Sequence, residues 1–204
     1  MSSARLASLL VGGSSEPWEA LGFRIDPSGR IPFGNGALEF TGNESGMRGL
    51  TIADVDDLPG DIEGIVLSPG RPMPALDHPN GGFELDHVVV MSDSLERTSQ
   101  SIERALGLPC KRIRETDTVR QAFHRFADGI GVRGCIIEVV ENKRVRSTGL
   151  FGLVINVDDL DGLCERHGGD VIGAAKAAVQ PGRRIATVRS AVGLGVPLAL
   201  MTPG

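Results

Sequence analysis

Two side chains stand where chemistry could begin. His87 lies within Leu85-Asp86-His87-Val88-Val89-Val90-Met91, and Glu138 within Cys135-Ile136-Ile137-Glu138-Val139-Val140. Both runs are short, β-branched and almost continuously apolar, as strands buried on both faces are. An imidazole and a carboxylate placed this way can ligate a divalent metal. The competing reading is a hydrogen-bonded core histidine and a glutamate that caps a pocket or pairs with an arginine.

Further polar residues fall on a neighbouring segment, 119–126. Strand alternation puts either Gln121, Phe123 and Arg125 or Arg120, Ala122 and His124 on a concave face. The length of the turn around 129–131 leaves that register open, so Gln121 and His124 are both candidate substrate contacts. A third candidate is Arg184 in Gln180-Pro181-Gly182-Arg183-Arg184. A turn carrying two guanidinium groups can bind a carboxylate or phosphate in bidentate fashion, and a solvated turn is the competing reading. Gly129-Ile130-Gly131-Val132-Arg133-Gly134 matches GxGxxG but precedes a strand instead of opening a helix, so it reads as a hairpin turn. Asp54, Asp56, Asp57 and Asp158, Asp159, Asp161 lack calcium-loop spacing and suit the first turns of helices.

The elements that must position these groups repeat along the chain. In 85–142 a strand (85–91) leads to a helix capped by Asp93, with Leu95, Ile102 and Leu106 on one face and Gly107 ending it. Strands at 111–114, 119–126 and 134–141 follow, completing a βαβββ unit. Residues 150–203 repeat the unit: strand 153–157, a helix with Leu160, Leu163 and Cys164, then strands at 171–172, 184–189 and 196–201. Aligning Asp93 with Asp158 and Leu95 with Leu160 places Val90 on Ile155, Gly152 on His87 and Ala199 on Glu138. Worn copies of the same pattern precede them. Ala20-Leu21-Gly22-Phe23 echoes 105–108, Leu38-Glu39-Phe40 through Asn43 echoes 137–142, and Gly49-Leu50 through Leu58 echoes 152–160. Pro59-Gly60 cuts the last copy short. The expected division is therefore 1–75 as reduced modules, 76–84 as a Pro/Gly-rich linker, and 85–204 as a two-module domain.

Composition bounds the partners. A net charge of −5 over 204 residues, one Trp and no Tyr argue against nucleic acid. No apolar run approaches the roughly 20 residues needed to span a bilayer. Three widely spaced cysteines match no zinc or redox motif and fit buried thiols in a reducing cytoplasm.

Paired βαβββ units, with His87 early and Glu138 late in one of them, resemble the vicinal oxygen chelate superfamily, the glyoxalase, bleomycin-resistance and extradiol dioxygenase fold. The resemblance implies an α+β protein of tandem βαβββ modules in curved mixed sheets, a glyoxalase-like half-barrel with a reduced N-terminal pair. It implies metal ligands on the first and fourth strands of paired modules, which His87 and Glu138 match and Gly152 and Ala199 do not. It also implies a small-molecule cup: a divergent lyase, isomerase or dioxygenase using zinc, manganese, nickel or iron, or that enzyme's metal-free descendant. The alternative it carries is a non-catalytic binding or sequestering protein, and a third reading is a relic whose cup is filled by its own side chains. With two of the usual ligands missing, no metal is expected to be held tightly by one chain. A homodimer is left open.

Overall fold

The computed structural model describes residues 4–42, 44–129 and 131–204; Asn43 and Ile130, which fall in the 38–43 echo and the 129–134 turn, lie outside the described residues. The first 70 residues supply β1 (Arg5–Val11), α1 (Glu16–Ala20), β2 (Arg30–Phe33), β3 (Gly36–Phe40), β4 (Met47–Ala53), β5 (Asp61–Ile62) and β6 (Ile65–Pro69). They form one sheet in the order β2-β3-β1-β4-β6-β5. The next unit is β7 (Gly82–Ser92), α2 (Leu95–Leu106), β8 (Arg112–Glu115), β9 (Arg120–Arg125) and β10 (Ile136–Glu141). The last is β11 (Gly149–Val157), α3 (Leu160–His167), β12 (Lys176–Ala177), β13 (Arg184–Thr187) and β14 (Leu198–Met201). These two units make a single sheet, β12-β13-β14-β11-β7-β10-β9-β8.

The wiring is the same four times. In each unit the first strand runs parallel to the last and antiparallel to the first strand of its neighbour: β7 with β10 and β11, β11 with β14 and β7. The N-terminal sheet keeps this core, β1 with β3 and β4, β4 with β6 and β1, and drops the outer strands. No helix lies between β4 and β5, where Pro59-Gly60 stands. The expected α+β architecture with a reduced N-terminal pair is the one observed. Register confirms the repeat alignment, since Val90 pairs with Leu150 and Leu85 with Ile155, each partner being the repeat mate of the other strand's residue.

Each first strand also carries a bulge at the same place. The extra residue is Ala7 in β1, Arg48 in β4, Asp86 in β7 and Phe151 in β11. A bulge opposes two residues to one and re-aims side chains locally. In β7, Leu85 and Val88 are buried, and the two residues between them, Asp86 and His87, both turn to the other face, as their mutual contact shows. Strict alternation would have separated them.

Local boundaries differ from expectation for identifiable reasons. Ser94, not Asp93, caps α2: its extended backbone lets Oγ accept from the Arg97 amide, while Asp93 turns to the Arg97 guanidinium at 2.6 Å. Strand β7 begins at Gly82, inside the expected linker, and β11 begins at Gly149. The expected strand at 171–172 is only a single bridge, Ile172 to Val188, and the edge strand forms later at Lys176–Ala177.

Buried residues of both sheets join one continuous core. Two turns of the first sheet reach the second. Asn35 donates to the carbonyls of Leu85 and Arg133 at 2.8 Å and accepts from the Leu85 amide at 2.9 Å. Glu63 sits in the two-residue β5–β6 turn with φ +51°, followed by Gly64 at φ +90°, as a type I′ hairpin requires. Its carboxylate accepts from Thr98 (2.6 Å), Thr148 (2.7 Å), Ser101 (3.1 Å) and Arg97 (3.1 Å). Among the described residues, no helix is long and apolar enough to cross a membrane.

Candidate functional site

The concave face of the eight-stranded sheet holds a cavity of about 570 Å³ whose floor includes His87, Gln121 and Glu138. A line of polar groups crosses that floor, one strand at a time. Arg114 on β8 donates from Nη1 to Oε1 of Gln121 on β9 at 2.9 Å. Gln121 donates from Nε2 to Oε1 of Glu138 on β10. The other Glu138 oxygen lies 3.3 Å from Nε2 of His87 on β7. His87 Nδ1 meets Asp86 Oδ1 at 2.6 Å, and Arg183, in the turn before β13, donates to Asp86 Oδ2 at 2.8 Å. Asn156 of β11 donates to the same Asp86 oxygen at 3.0 Å and accepts from Arg183 at 2.5 Å.

The electrostatics set the imidazole's tautomer. Burial alone would raise the Asp86 carboxyl, but hydrogen bonding and charge from His87, then from Arg183, bring it down to about 2. An ionised carboxylate only accepts, so Nδ1 of His87 carries the proton that bonds it. Nε2 of His87 then faces the Glu138 carboxyl at 3.3 Å, within reach of proton transfer between the two. The side chains of His87, Asp86, Glu138 and Arg183 are 9–13% exposed, so the group is shielded from bulk water while His87 and Glu138 face the cavity.

The opposite wall is different. Gly152, the mate of His87, packs so tightly that a Cβ there would lie 2.8 Å from the Pro197 carbonyl oxygen. Ala199, opposite Val154 in register as Glu138 is opposite Val89, offers only a methyl group. Phe151, Ile185, Met201 and the strap 176–180 form the cavity lining on that side, and among the described residues there Lys176 is the only titratable side chain.

No family model matches the sequence, and no curated protein matches it. Solved structures do. Two variants of the Streptomyces coelicolor methylmalonyl-CoA epimerase in complex with 2-nitronate-propionyl-CoA align with a TM-score of 0.51, at 17% and 18% identity, over 60% of this chain and 99% of theirs. The Mycobacterium tuberculosis methylmalonyl-CoA epimerase aligns with a TM-score of 0.49 at 20% identity, over 62% of this chain and 91% of its own. The chain has the vicinal oxygen chelate fold.

Within that fold, the expected site residues separate. His87, Glu138 and Gln121 come together in the cup. His124 does not: it is fully buried on the helix-covered face, between the Ser99 hydroxyl at 2.8 Å and the Leu108 carbonyl at 2.7 Å, and burial holds its imidazole below the usual range. Ala122 and His124 share that face, which settles the parity of β9 that the turn left open. Arg184 also points away, to Asp161 of α3 and the Ala175 carbonyl, and its neighbour Arg183 is the guanidinium that enters the site.

Asp86, Arg114, Asn156 and Lys176 were not picked out from sequence, and Arg183 was noted only as the second guanidinium of the turn that carries Arg184. The Asp86-His87 dipeptide was the signal available for one of them, hidden by the assumption of regular alternation. As for a metal, His87 and Glu138 supply two donors, fewer than the three protein ligands of a catalytic divalent site. Among the described residues, no group of three or more His, Cys, Asp or Glu is placed to hold an ion. The donor set of one chain does not fit a resident divalent metal.

Proposed function

We propose that this protein is a divergent isomerase-type enzyme that moves a proton at a carbon next to a carbonyl in a small molecule. The observation that supports the reading is the 3.3 Å approach of His87 Nε2 to Glu138 Oε2 on the floor of a largely apolar cavity. Glu138 takes the proton as the C–H bond breaks, and the electron pair moves onto the carbonyl oxygen as an enolate. His87 reacts in its doubly protonated form, with Nδ1–H held by Asp86. It gives the Nε2 proton to that oxygen, and takes it back as Glu138 returns its own proton, exchanged with solvent, to carbon. Positioned acid–base groups contribute typically 10²–10⁴-fold, and the fixed imidazole needs no reorganisation during the step.

Both groups sit on one wall, and their mates are Gly152 and Ala199. A proton removed and returned on the same side leaves configuration unchanged, so the chemistry favoured is enolisation or a suprafacial shift, not inversion. The test uses (S)-3-methyl-2-oxopentanoate and the neutral ketone (S)-3-methylpentan-2-one in D₂O. The reading predicts deuterium at the branched carbon of at least one, with configuration retained. No enzyme-dependent deuteration of either contradicts it, and racemisation contradicts the one-sided geometry. The second reading, a non-catalytic binding cup, is favoured by the apolar lining that Phe123, Phe151, Ile185 and Met201 provide. Tight ligand binding without exchange would select it.

A further inference from the structure

The cup carries a charge pattern that the proton transfer leaves unused. Its two lips are the edge strands of the eight-stranded sheet, β8 and β12, which both border the one cavity. Each lip contributes one cation: Arg114 from β8 and Lys176 from β12. Among the described residues neither is ion-paired. Arg114 gives one N–H to the neutral Gln121 amide and keeps its remaining donors, while the cup's own carboxylate, Glu138, is engaged by Gln121 and His87. In a chain of net charge −5, where Arg120, Arg183 and Arg184 are each paired to a carboxylate, two cations without an ion-pair partner at one mouth add positive potential there. Between the lips and the floor the lining is apolar, with Val89, Met91, Phe123, Val140 and Phe151.

We infer that the ligand is a compact carboxylic acid with an apolar body, its carboxylate held at the mouth by Arg114 and Lys176 and its reacting carbon directed to His87 and Glu138. This rests on the acid–base reading for the last clause only; the recognition of the acid stands on the lips themselves. A partly buried guanidinium with free donors matches a carboxylate by paired, charge-assisted hydrogen bonds. Lys176, on a flexible stem at the exposed edge, adds charge without fixing geometry. The apolar wall accounts for the body, whose burial contributes in proportion to its area. Arg114 also touches Gln121, so acid recognition is coupled to the orientation of the Glu138 carboxylate through a single amide.

Calorimetry with 3-phenylpropanoate, its neutral amide 3-phenylpropanamide and propanoate tests this without requiring turnover. The acid is expected to bind about tenfold or more tightly than either the amide or propanoate, corresponding to about 1.4 kcal/mol or more. Arg114→Gln should remove the preference for acid over amide while leaving amide affinity in place. Lys176→Gln, at an exposed edge where folding is not at risk, should weaken the acid about two- to threefold, more at low salt than at high. Equal binding of acid and amide, or an Arg114→Gln protein that keeps the preference, overturns the inference. Selective acid binding without deuterium exchange would retire the proton-transfer reading and leave this one standing; exchange of the neutral ketone with no acid preference would do the reverse.

Discussion

The two sheets hold the same position twice, and only one of them is open. In the second sheet the bulged first strand offers His87 to Glu138, 3.3 Å apart, above a cavity. In the first sheet the register places Ser8 where His87 stands and Glu39 where Glu138 stands. Ser8 Oγ donates to Glu39 at 3.0 Å and meets Thr51 Oγ1 at 2.6 Å, and Arg30 pairs with Glu39 at 3.1 Å. The chain after β6 then closes over this spot. Gly70 lies so near that a Cβ on it would be 2.7 Å from both Ala7 Cβ and Thr51 Oγ1. Even the glycine mates match: Gly49 is pressed against the Val66 carbonyl oxygen as Gly152 is against that of Pro197. A bulge, a carboxylate and a parallel neighbour therefore do not make a site. What differs is the partner on the strand, which in one case can hold a mobile proton and in the other only caps a salt bridge, and the presence of outer strands that keep a cup open.

That contrast can be broken in several ways. If the first sheet is a structural half of one core, Trp18→Ala should cost about 3–5 kcal/mol and lower the melting temperature of the whole chain in one transition. Trp18 is fully buried against Phe23 and Phe40 and donates to the Leu194 carbonyl. Two separate transitions, with the second sheet unaffected, would show the sheets to be independent.

Next in size is the latch between them. Glu63→Ala removes the acceptor of the Arg97, Thr98, Ser101 and Thr148 donors and should cost about 2–3 kcal/mol in urea unfolding. A loss under 0.5 kcal/mol would show that the two halves are held by apolar packing alone.

Acid sensitivity comes next. The folded-state pKa of Asp86 lies at about 2, below its unfolded value, so its contribution is complete above about pH 4 and is lost as pH falls towards 2. The size is about 2 kcal/mol. Burial opposes ionisation of Glu63, but its hydrogen bonds from Arg97, Thr98 and Thr148 outweigh it and lower its pKa, giving the same sign. Asp86→Asn should flatten the pH dependence of stability below pH 4; an unchanged profile would remove Asp86 from the account.

The smallest effect sharpens the comparison most. Ser8→Ala should cost about 1 kcal/mol for its lost hydrogen bonds and leave ligand binding and proton exchange untouched. His87→Gln should do the opposite.

Much of this was legible in the sequence because repetition multiplies weak signals. The spacing that aligns Asp93 with Asp158 is borne out by strand register, and His87, Glu138 and Ala199 were assigned correctly to their strands, while Gly152 fell one residue outside the expected 153–157. What escaped depends on partners distant in sequence. A bulge is visible only when two strands are paired, so Asp86 could not be seen beside His87. The parity of β9 depended on a turn of unknown length, so Gln121 and His124 remained equal candidates. Arg183 and Arg184 differ by one residue at a strand edge, and which enters the site is decided by Asp86, Asn156 and the Thr202 carbonyl. The cap of α2 moved from Asp93 to Ser94 because a tertiary charge, Arg97, claimed the aspartate.

The central claim is that His87 and Glu138 work as an acid–base pair. It is tested most directly by the rate at which deuterium enters (S)-3-methyl-2-oxopentanoate, followed by proton NMR for the unaltered protein and for Glu138→Gln, a substitution that keeps shape and removes the base. The account predicts exchange well above the buffer rate, falling by about a hundredfold or more in Glu138→Gln, with the melting temperature nearly unchanged. Exchange at the same rate in both proteins, or none above buffer in either, would contradict it.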